Sequence, residues 1–398
     1  MSYYLSRKAI RRLPGIIIKA VPLPRPQITS GFAARAQVGA LCRHRGFGRV
    51  LLVTDSSVKA LGLAEKVEKS LADAGVAFET FAHISGEPTS DIIEKGRQAA
   101  IGFRADCLVG LGGGSVMDAC KMMAAGARLK AFPVKTILLK FLWIPGKTLP
   151  IVNIPSTAGT GAETTVGAVV TDSRKNRKKS TVIIGLNVTD VVLDSELTLK
   201  MPRSITAACG IDALSHGLEG AVASVSCSQE DQWKSLECVR LVLECLPRVL
   251  NRPEDVQARE QMCLAAHYGG NAINCQLAGY VHAFAHSLGA RYHISHGQAI
   301  ARCLLPVLRA ETPYCPGKMA AVAQHCGLSE ANDSPETSVP ALFDALDTLV
   351  TQCGFEAMPA IPEGDLDDLV KMIDSDSINY SAPVTFTDAQ LKDILRQL

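Results

Sequence analysis

Between residues 49 and 155, short apolar runs alternate with stretches of helical spacing, and this rhythm constrains the fold more than any other feature of the chain. Residues 49–54 read as a buried strand that Asp55 ends, with further strands over 76–81, 107–111 and 151–155. Val58, Leu61, Leu63, Val67 and Leu71 predict one helix over 57–74, stopped by Gly75. Two more helices are expected over 89–102, with Thr89 or Ser90 as N-cap, and over 115–127. Strands joined by helices in this order pair in parallel, with helices covering both faces of the sheet.

The second half reads differently. From about residue 204 the β-branched runs stop, and long helical patterns follow over 204–222, 229–246, 255–272 and 366–375. The 398 residues exceed one ordinary core, so two domains are expected, an α/β domain over 1–202 and an all-helical one over 203–398. The polar stretch 329–338 reads as a surface loop.

Composition removes several classes of function. With 47% apolar and 20% charged residues the chain is an ordinary globular protein, and a net charge of +2 gives no electrostatic case for nucleic-acid binding. The most apolar region, 136–155, is broken by Lys140, Pro145, Lys147 and Pro150, so it cannot span a membrane; the overlapping segment 131–150 reads as a core-packed loop, with a lid or a dimer surface as the other readings. Thirteen scattered cysteines without a C-x-x-C pair predict reduced, buried thiols of a cytoplasmic protein. No acid precedes Asp55, and Arg7, Lys8, Arg11 and Arg12 cluster early; a short basic extension is the simpler reading, a transit-like segment the other.

Two constellations carry chemistry. Gly112, Gly113, Gly114 and Ser115 follow a buried strand and open a helix, so backbone N–H groups and the helix N-terminus can receive a diphosphate; a tight turn needing glycine is the competing reading. Asp55, at the end of the first strand, can accept hydrogen bonds from a ribose diol and repel a 2′-phosphate, which favours NAD, or it can simply cap the next helix. The loop 155–163 follows a strand too and offers hydroxyls beside that turn.

The second constellation lies in the helical half. Asp212 and His216 are four apart and share a helix face, as do His282 and His286, and His296 follows; five of the nine histidines fall between 267 and 296. Asp212, His216, His282 and His296 form a set that suits Fe²⁺ or Zn²⁺ with a position left for a substrate oxygen. His286, one turn from His282, is placed to relay a proton.

The segments GGGSVMDACK, IPSTAGTGAE, GIDALSHGLEG and GYVHAFAHSLGARYHISHG, in this order and spacing, resemble the iron-containing alcohol dehydrogenase family. The resemblance implies a dehydroquinate synthase-like fold, with an α/β N-terminal dinucleotide-binding domain, an all-α C-terminal metal-binding domain, and cofactor and metal in the cleft between them. It implies metal ligands at Asp212, His216, His282 and His296, a neighbouring histidine at His286, and a ribose carboxylate at Asp55. It also implies a diphosphate loop at Gly112 to Ser115 with Asp118 after it, nicotinamide-side contacts at Thr157 and Thr160, and a cofactor lysine at Lys178 or its neighbour Lys179. A cytoplasmic homodimer or larger homo-oligomer, transferring hydride between NAD(H) and a small alcohol or aldehyde, is the function this implies.

Three other readings compete, one of them a metal-binding or nucleotide-sensing protein without catalysis, which would leave the four ligands, the extra histidine and the cofactor loop hard to explain. A polyol dehydrogenase of the glycerol type uses the same chemistry. A non-redox lyase or cyclase on the same scaffold needs extra cations for an anionic substrate, whereas the metal-bearing segments carry Arg291 as their only Arg or Lys. Phe284, Leu277, Asn271 and Asn274 are candidates for the pocket wall, or else packing residues of their helices.

Overall fold

The computed structural model describes residues 23–398 except 176, 226 and 379; the basic cluster Arg7, Lys8, Arg11 and Arg12 lies outside the described residues. The described residues divide into two compact units, one of 23–157 with Gly161–Met201, the other of Pro202–Leu398 joined by Ala158–Thr160.

The first unit runs β1 (Gln27–Gly31), α1 (Val38–His44), β2 (Arg49–Asp55), α2 (Ser56–Ala60), α3 (Glu65–Asp73), β3 (Ala77–Ile84), α4 (Ser90–Phe103), β4 (Cys107–Gly112), α5 (Gly114–Arg128), α6 (Val134–Ile137), β5 (Phe141–Trp143), β6 (Ile151–Pro155), β7 (Gly167–Asp172), β8 (Arg177–Ile184) and β9 (Val188–Asp194). Six strands form an all-parallel sheet in the order β1-β9-β6-β4-β2-β3. β4 and β6 are buried at every residue, because a parallel sheet is covered on both faces; their sequences are therefore continuous apolar runs rather than alternating ones. The core on one face joins Val50, Leu52, Val109 and Ile154 to Val67 and Leu71 of α3.

The expected helix over 57–74 is two. Gly62 takes φ +69° between α2 and α3, a backbone conformation that glycine adopts without strain. Leu61, counted on the apolar face, is 71% exposed. The segment 131–150 also departs from expectation. It forms α6 and β5 and buries Val134, Ile137, Leu142 and Ile144, yet Phe132, Leu139 and Trp143 stand on the surface, Trp143 at 70% exposure. β5 pairs with β8, and β8 with β7, in a separate small sheet that the strand reading did not foresee. β8 begins Arg177, Lys178, Lys179, a polar start that hides a strand from pattern reading.

The second unit is helical: α7 (Arg203–Val222), α8 (Gln229–Asn251), α9 (Val256–Gln276), α10 (Tyr280–Tyr292), α11 (His296–Glu311), α12 (Pro316–His325), α13 (Pro335–Cys353), α14 (Leu366–Ser377) and α15 (Asp388–Leu395). From Gly210 to Val222 every residue of α7 is buried, so this helix forms the centre of the unit. Neighbours come close to it: a Cβ on Gly269 of α9 would lie 3.1 Å from His216 Cβ. All thirteen cysteines are free and none is exposed. Burial pushes the Cys42 and Cys209 thiols up to about 12, which keeps them protonated and inert. Among the described residues no helix is long and apolar enough to cross a membrane.

Candidate metal centre and cofactor turn

At the carboxyl end of β4 the chain turns sharply into α5. A Cβ on Gly112 would meet Val116 Cγ2 at 2.5 Å, so only glycine lets the first turn of α5 close onto the strand. Gly113, the N-cap, offers no side-chain cap, and Gly113, Gly114 and Ser115 are partly open to solvent. The first N–H groups of α5 therefore form an accessible anion site reinforced by the helix dipole. The 155–163 loop runs alongside: Ser156 N donates to Gly112 O at 2.9 Å, and a Cβ on Gly113 would lie 3.8 Å from Thr157. Thr160 is exposed and groups with the helical unit.

Asp55 takes the capping role weighed for it, and its second oxygen faces the glycine turn. Its Oδ1 accepts from Val58 N at 2.7 Å and caps α2, while its Oδ2 reaches within 3.2 Å of where a Cβ on Gly112 would be. The carboxylate thus borders the glycine turn. Asp118 is drawn into the framework. It accepts from Lys121 Nζ at 2.9 Å and from Val169 N at 2.9 Å, and the fully buried Lys121 also donates to Thr165 Oγ1 and Gly167 O. This pair ties α5 to β7, and sequence reading passed over Lys121. Lys178 is exposed on β8 and pairs with Glu87, while Lys179 pairs with the buried Asp172 at 3.3 Å.

In the helical unit, Asp212 and His216 come from α7, His282 and His286 from α10, and His296 from the first turn of α11. His293 ends α10 in the left-handed conformation at φ +56°, and this reversal brings His296 back toward α10. The ligand atoms of Asp212, His282 and His296 lie within 4.8 Å of one another. Asp212 Oδ1 is 3.3 Å from His296 Nε2, 3.6 Å from His282 Nε2 and 3.5 Å from His216 Nε2. Metal–ligand bonds of about 2.0–2.1 Å put the ligands of a tetrahedral ion roughly 3.3 Å apart, so the cluster has the dimensions of a coordination sphere. Among the described residues the buried Asp212 Oδ1 and His282 Nε2 have no hydrogen-bond partner. Two orphaned polar atoms pointing at one place are costly unless a cation satisfies both, and the donor set fits Fe²⁺ or Zn²⁺.

Electrostatics differ among the members of the cluster. Burial alone would raise Asp212, but the imidazoles of His216 and His296 hold its carboxyl well below the usual range, so it is anionic. Burial lowers His216 to about 4, leaving it a neutral donor. Burial opposes a proton on His282 too, yet Glu219 overrides it and lifts this histidine to about 10. Glu219 Oε2 lies 2.5 Å from His282 Nδ1, and its Oε1 accepts from His282 N at 3.2 Å. One buried carboxylate therefore caps α10 and fixes the ring that presents Nε2 to the cluster. Sequence reading quoted Glu219 without a role. Its spacing from Asp212 and His216 (positions i, i+4 and i+7 of one helix face) was a signal that could have found it.

His286 stacks on His296 with ring centroids 5.3 Å apart and stands 5.8 Å from the His282 ring. Its Nδ1 is 2.8 Å from Asp376 Oδ2, and Tyr380 Oη donates to the same oxygen at 3.0 Å. Nothing in the local sequence flags Asp376 or Tyr380, some 90 residues away. Of the proposed wall residues, Phe284 and Asn274 are buried; Phe284 packs on Tyr280.

Known proteins share these motifs. A family model described as iron-containing alcohol dehydrogenase matches residues 25–195, and a second, for the C-terminal part of that family, matches residues 206–398. The NAD-dependent methanol dehydrogenase of Bacillus methanolicus is 33% identical over 276 residues, which cover 68% of this chain and 71% of that protein. The bifunctional aldehyde-alcohol dehydrogenase AdhE of Escherichia coli (strain K12) is 31% identical over 334 residues, 78% of this chain, but the chain spans only 37% of AdhE's length. The crystal structure of sulfoacetaldehyde reductase from Bifidobacterium kashiwanohense in complex with NAD+ has a TM-score of 0.85 at 26% identity, covering 94% of this chain and 97% of that one.

Proposed function

The chain belongs to the iron-containing alcohol dehydrogenase family, and from that premise we propose that it interconverts a small neutral alcohol and its aldehyde with NAD. The observation that carries this reading is the convergence of three imidazoles on the buried, unpartnered Oδ1 of Asp212. Asp212, His216, His282 and His296 would hold the ion, Fe²⁺ with Zn²⁺ as the substitute. When bound, the ion supplies Lewis acidity to a substrate oxygen, and NAD supplies the hydride acceptor.

The chain's own residues do the rest. The turn Gly112, Gly113, Gly114 and Ser115 binds the diphosphate through backbone N–H groups, and Asp55 borders it to receive a ribose diol. Asp118 holds α5 in register through Lys121 and Val169. Thr157, Thr160 and Lys178 complete the nucleotide contacts. Glu219 orients His282, and His286 takes the proton that leaves the alcohol, so that alcohol and NAD+ give aldehyde, NADH and one proton. Arg291 is held by Asp365, which also accepts from Tyr292 Oη at 2.8 Å; it is thus engaged away from any anionic substrate, which favours neutral alcohols over the substrates of a lyase. Residues 1–202 are the nucleotide-binding domain and 203–398 the metal-binding domain of a cytoplasmic homodimer or larger homo-oligomer.

The test is elemental analysis of protein purified without added metal, then NADH consumption with short aldehydes before and after chelation. About one Fe or Zn per chain, as a mononuclear site requires, with activity lost to the chelator and restored by Fe²⁺, is the expected result. Absence of both metal and turnover after reconstitution would overturn the reading.

A further inference from the structure

α10 carries two carboxylate–imidazole pairs one turn apart. Glu219 holds Nδ1 of His282 at 2.5 Å, and Asp376, near the end of α14, holds Nδ1 of His286 at 2.8 Å. The first pair is sealed, with the Glu219 side chain 1% exposed; the second is open, with His286 at 46% and Asp376 at 35%. Tyr380 sits over the open pair. Its Oη is 3.0 Å from Asp376 Oδ2 and 3.2 Å from His286 Nδ1. An ionised carboxylate only accepts hydrogen bonds, so two donors meeting on Asp376 Oδ2 require Nδ1–H from the ring and O–H from the phenol. The neutral imidazole is then fixed in the tautomer that leaves Nε2 as its acceptor.

We propose that Asp376, steadied by Tyr380, is a positioning residue that selects the Nδ1–H tautomer and the ring orientation of His286, leaving Nε2 free to accept the substrate's proton. The proposal rests on the proton-accepting role given to His286 above. Among the described residues Asp376 makes no hydrogen bond or ion pair with the metal set, so it acts through His286. Replacing it with asparagine keeps shape but lets the amide N–H₂ donate to Nδ1, which drives the ring proton to Nε2, where it blocks acceptance.

The experiment combines two readouts on zinc-loaded protein labelled with ¹⁵N-histidine. Long-range ¹⁵N–¹H spectra report the His286 tautomer, and steady-state kinetics report rate. Asp376→Asn is expected to reverse the tautomer and lower kcat roughly 10- to 100-fold, with KM for NAD and zinc per chain unchanged. Asp376→Glu is expected to retain the Nδ1 proton and recover most of the rate. Tyr380→Phe should keep the tautomer and lose roughly two- to fivefold in kcat, less than Asp376→Asn, because the carboxylate that sets the tautomer remains. In a His286→Ala background, Asp376→Asn should change kcat by less than about twofold, because a residue acting through another adds nothing once that other is gone. An unreversed tautomer in Asp376→Asn, or losses that add in the His286→Ala background, overturns the proposal. Full activity in His286→Ala would instead sink the proton role of His286, while the spectra still decide whether Asp376 sets its tautomer.

Discussion

The glycine turn after β4 and the histidine cluster of α7, α10 and α11 would, on the proposed function, solve binding in opposite ways. At the turn the backbone is the ligand, and side chains matter mainly by being absent: Gly112 has no room for even a methyl group beside Val116. In the cluster the backbone only delivers side chains, and a ring can be aimed by a group behind it, as Glu219 aims His282. Backbone sites should therefore fail by steric intrusion and leave the metal alone, whereas side-chain sites should fail by loss of a donor or of the group behind it.

The sharpest break comes from His282→Ala. Removing a ligand should abolish metal binding and lower kcat/KM by roughly 10³-fold or more, since the metal's contribution goes with it; a full complement of metal in this variant would refute the ligand assignment. Acidification probes the same cluster without mutation of a ligand's partner. His216 is depressed to about 4 in the folded chain from an ordinary 6.5, so the unfolded state takes the proton first as pH falls. Stability of the metal-free protein is then constant from this source above pH 6.5 and declines toward pH 4, by about 3 kcal/mol. Urea unfolding at both ends of that window, compared with His216→Gln, isolates the contribution; equal slopes in the two proteins would contradict it.

Glu219→Gln should weaken metal affinity roughly 10- to 100-fold while leaving the four ligands in place, a loss that competition with a chelator measures. Unaltered affinity would mean that the carboxylate serves α10 as a cap and nothing more. The mildest contrast is Gly112→Ala. Here NADH affinity, followed by fluorescence titration, should fall by at least roughly tenfold, about 1.4 kcal/mol, with metal per chain intact. Metal loss in this variant would erase the distinction between the two regions.

Much of this was legible in the chain itself. The strand at 151–155 is observed as β6, Ile151–Pro155, and Thr89 caps α4 as its position predicted, because apolar runs and caps are local signals. The cluster was legible for the same reason, since Asp212 with His216 and His282 with His286 each repeat at one helical turn. Where local cues mislead, tertiary structure decided. Leu61 fits the helical period yet faces solvent, because Gly62 breaks the helix beside it. The polar start of β8 became a strand only through pairing with β7 and β5. The segment 131–150 is largely apolar between its lysines, but only its fold divides the apolar residues into buried and exposed ones.

The residues that aim the histidines mark the limit most clearly. Sequence by itself determined an α/β half, a helical half, a glycine turn suited to an anion and a cluster of candidate metal donors, because each is encoded within a few turns of chain. Only the tertiary structure decided that Lys121 would lock Asp118, that Glu219 would hold His282, and that Asp376 and Tyr380 would close on His286. The contacts of Glu219 and Asp376 are set by the packing of α7, α10 and α14 against one another; helical spacing can place Glu219 on the face of Asp212 and His216, but it does not say which residue of a distant segment either carboxylate will meet.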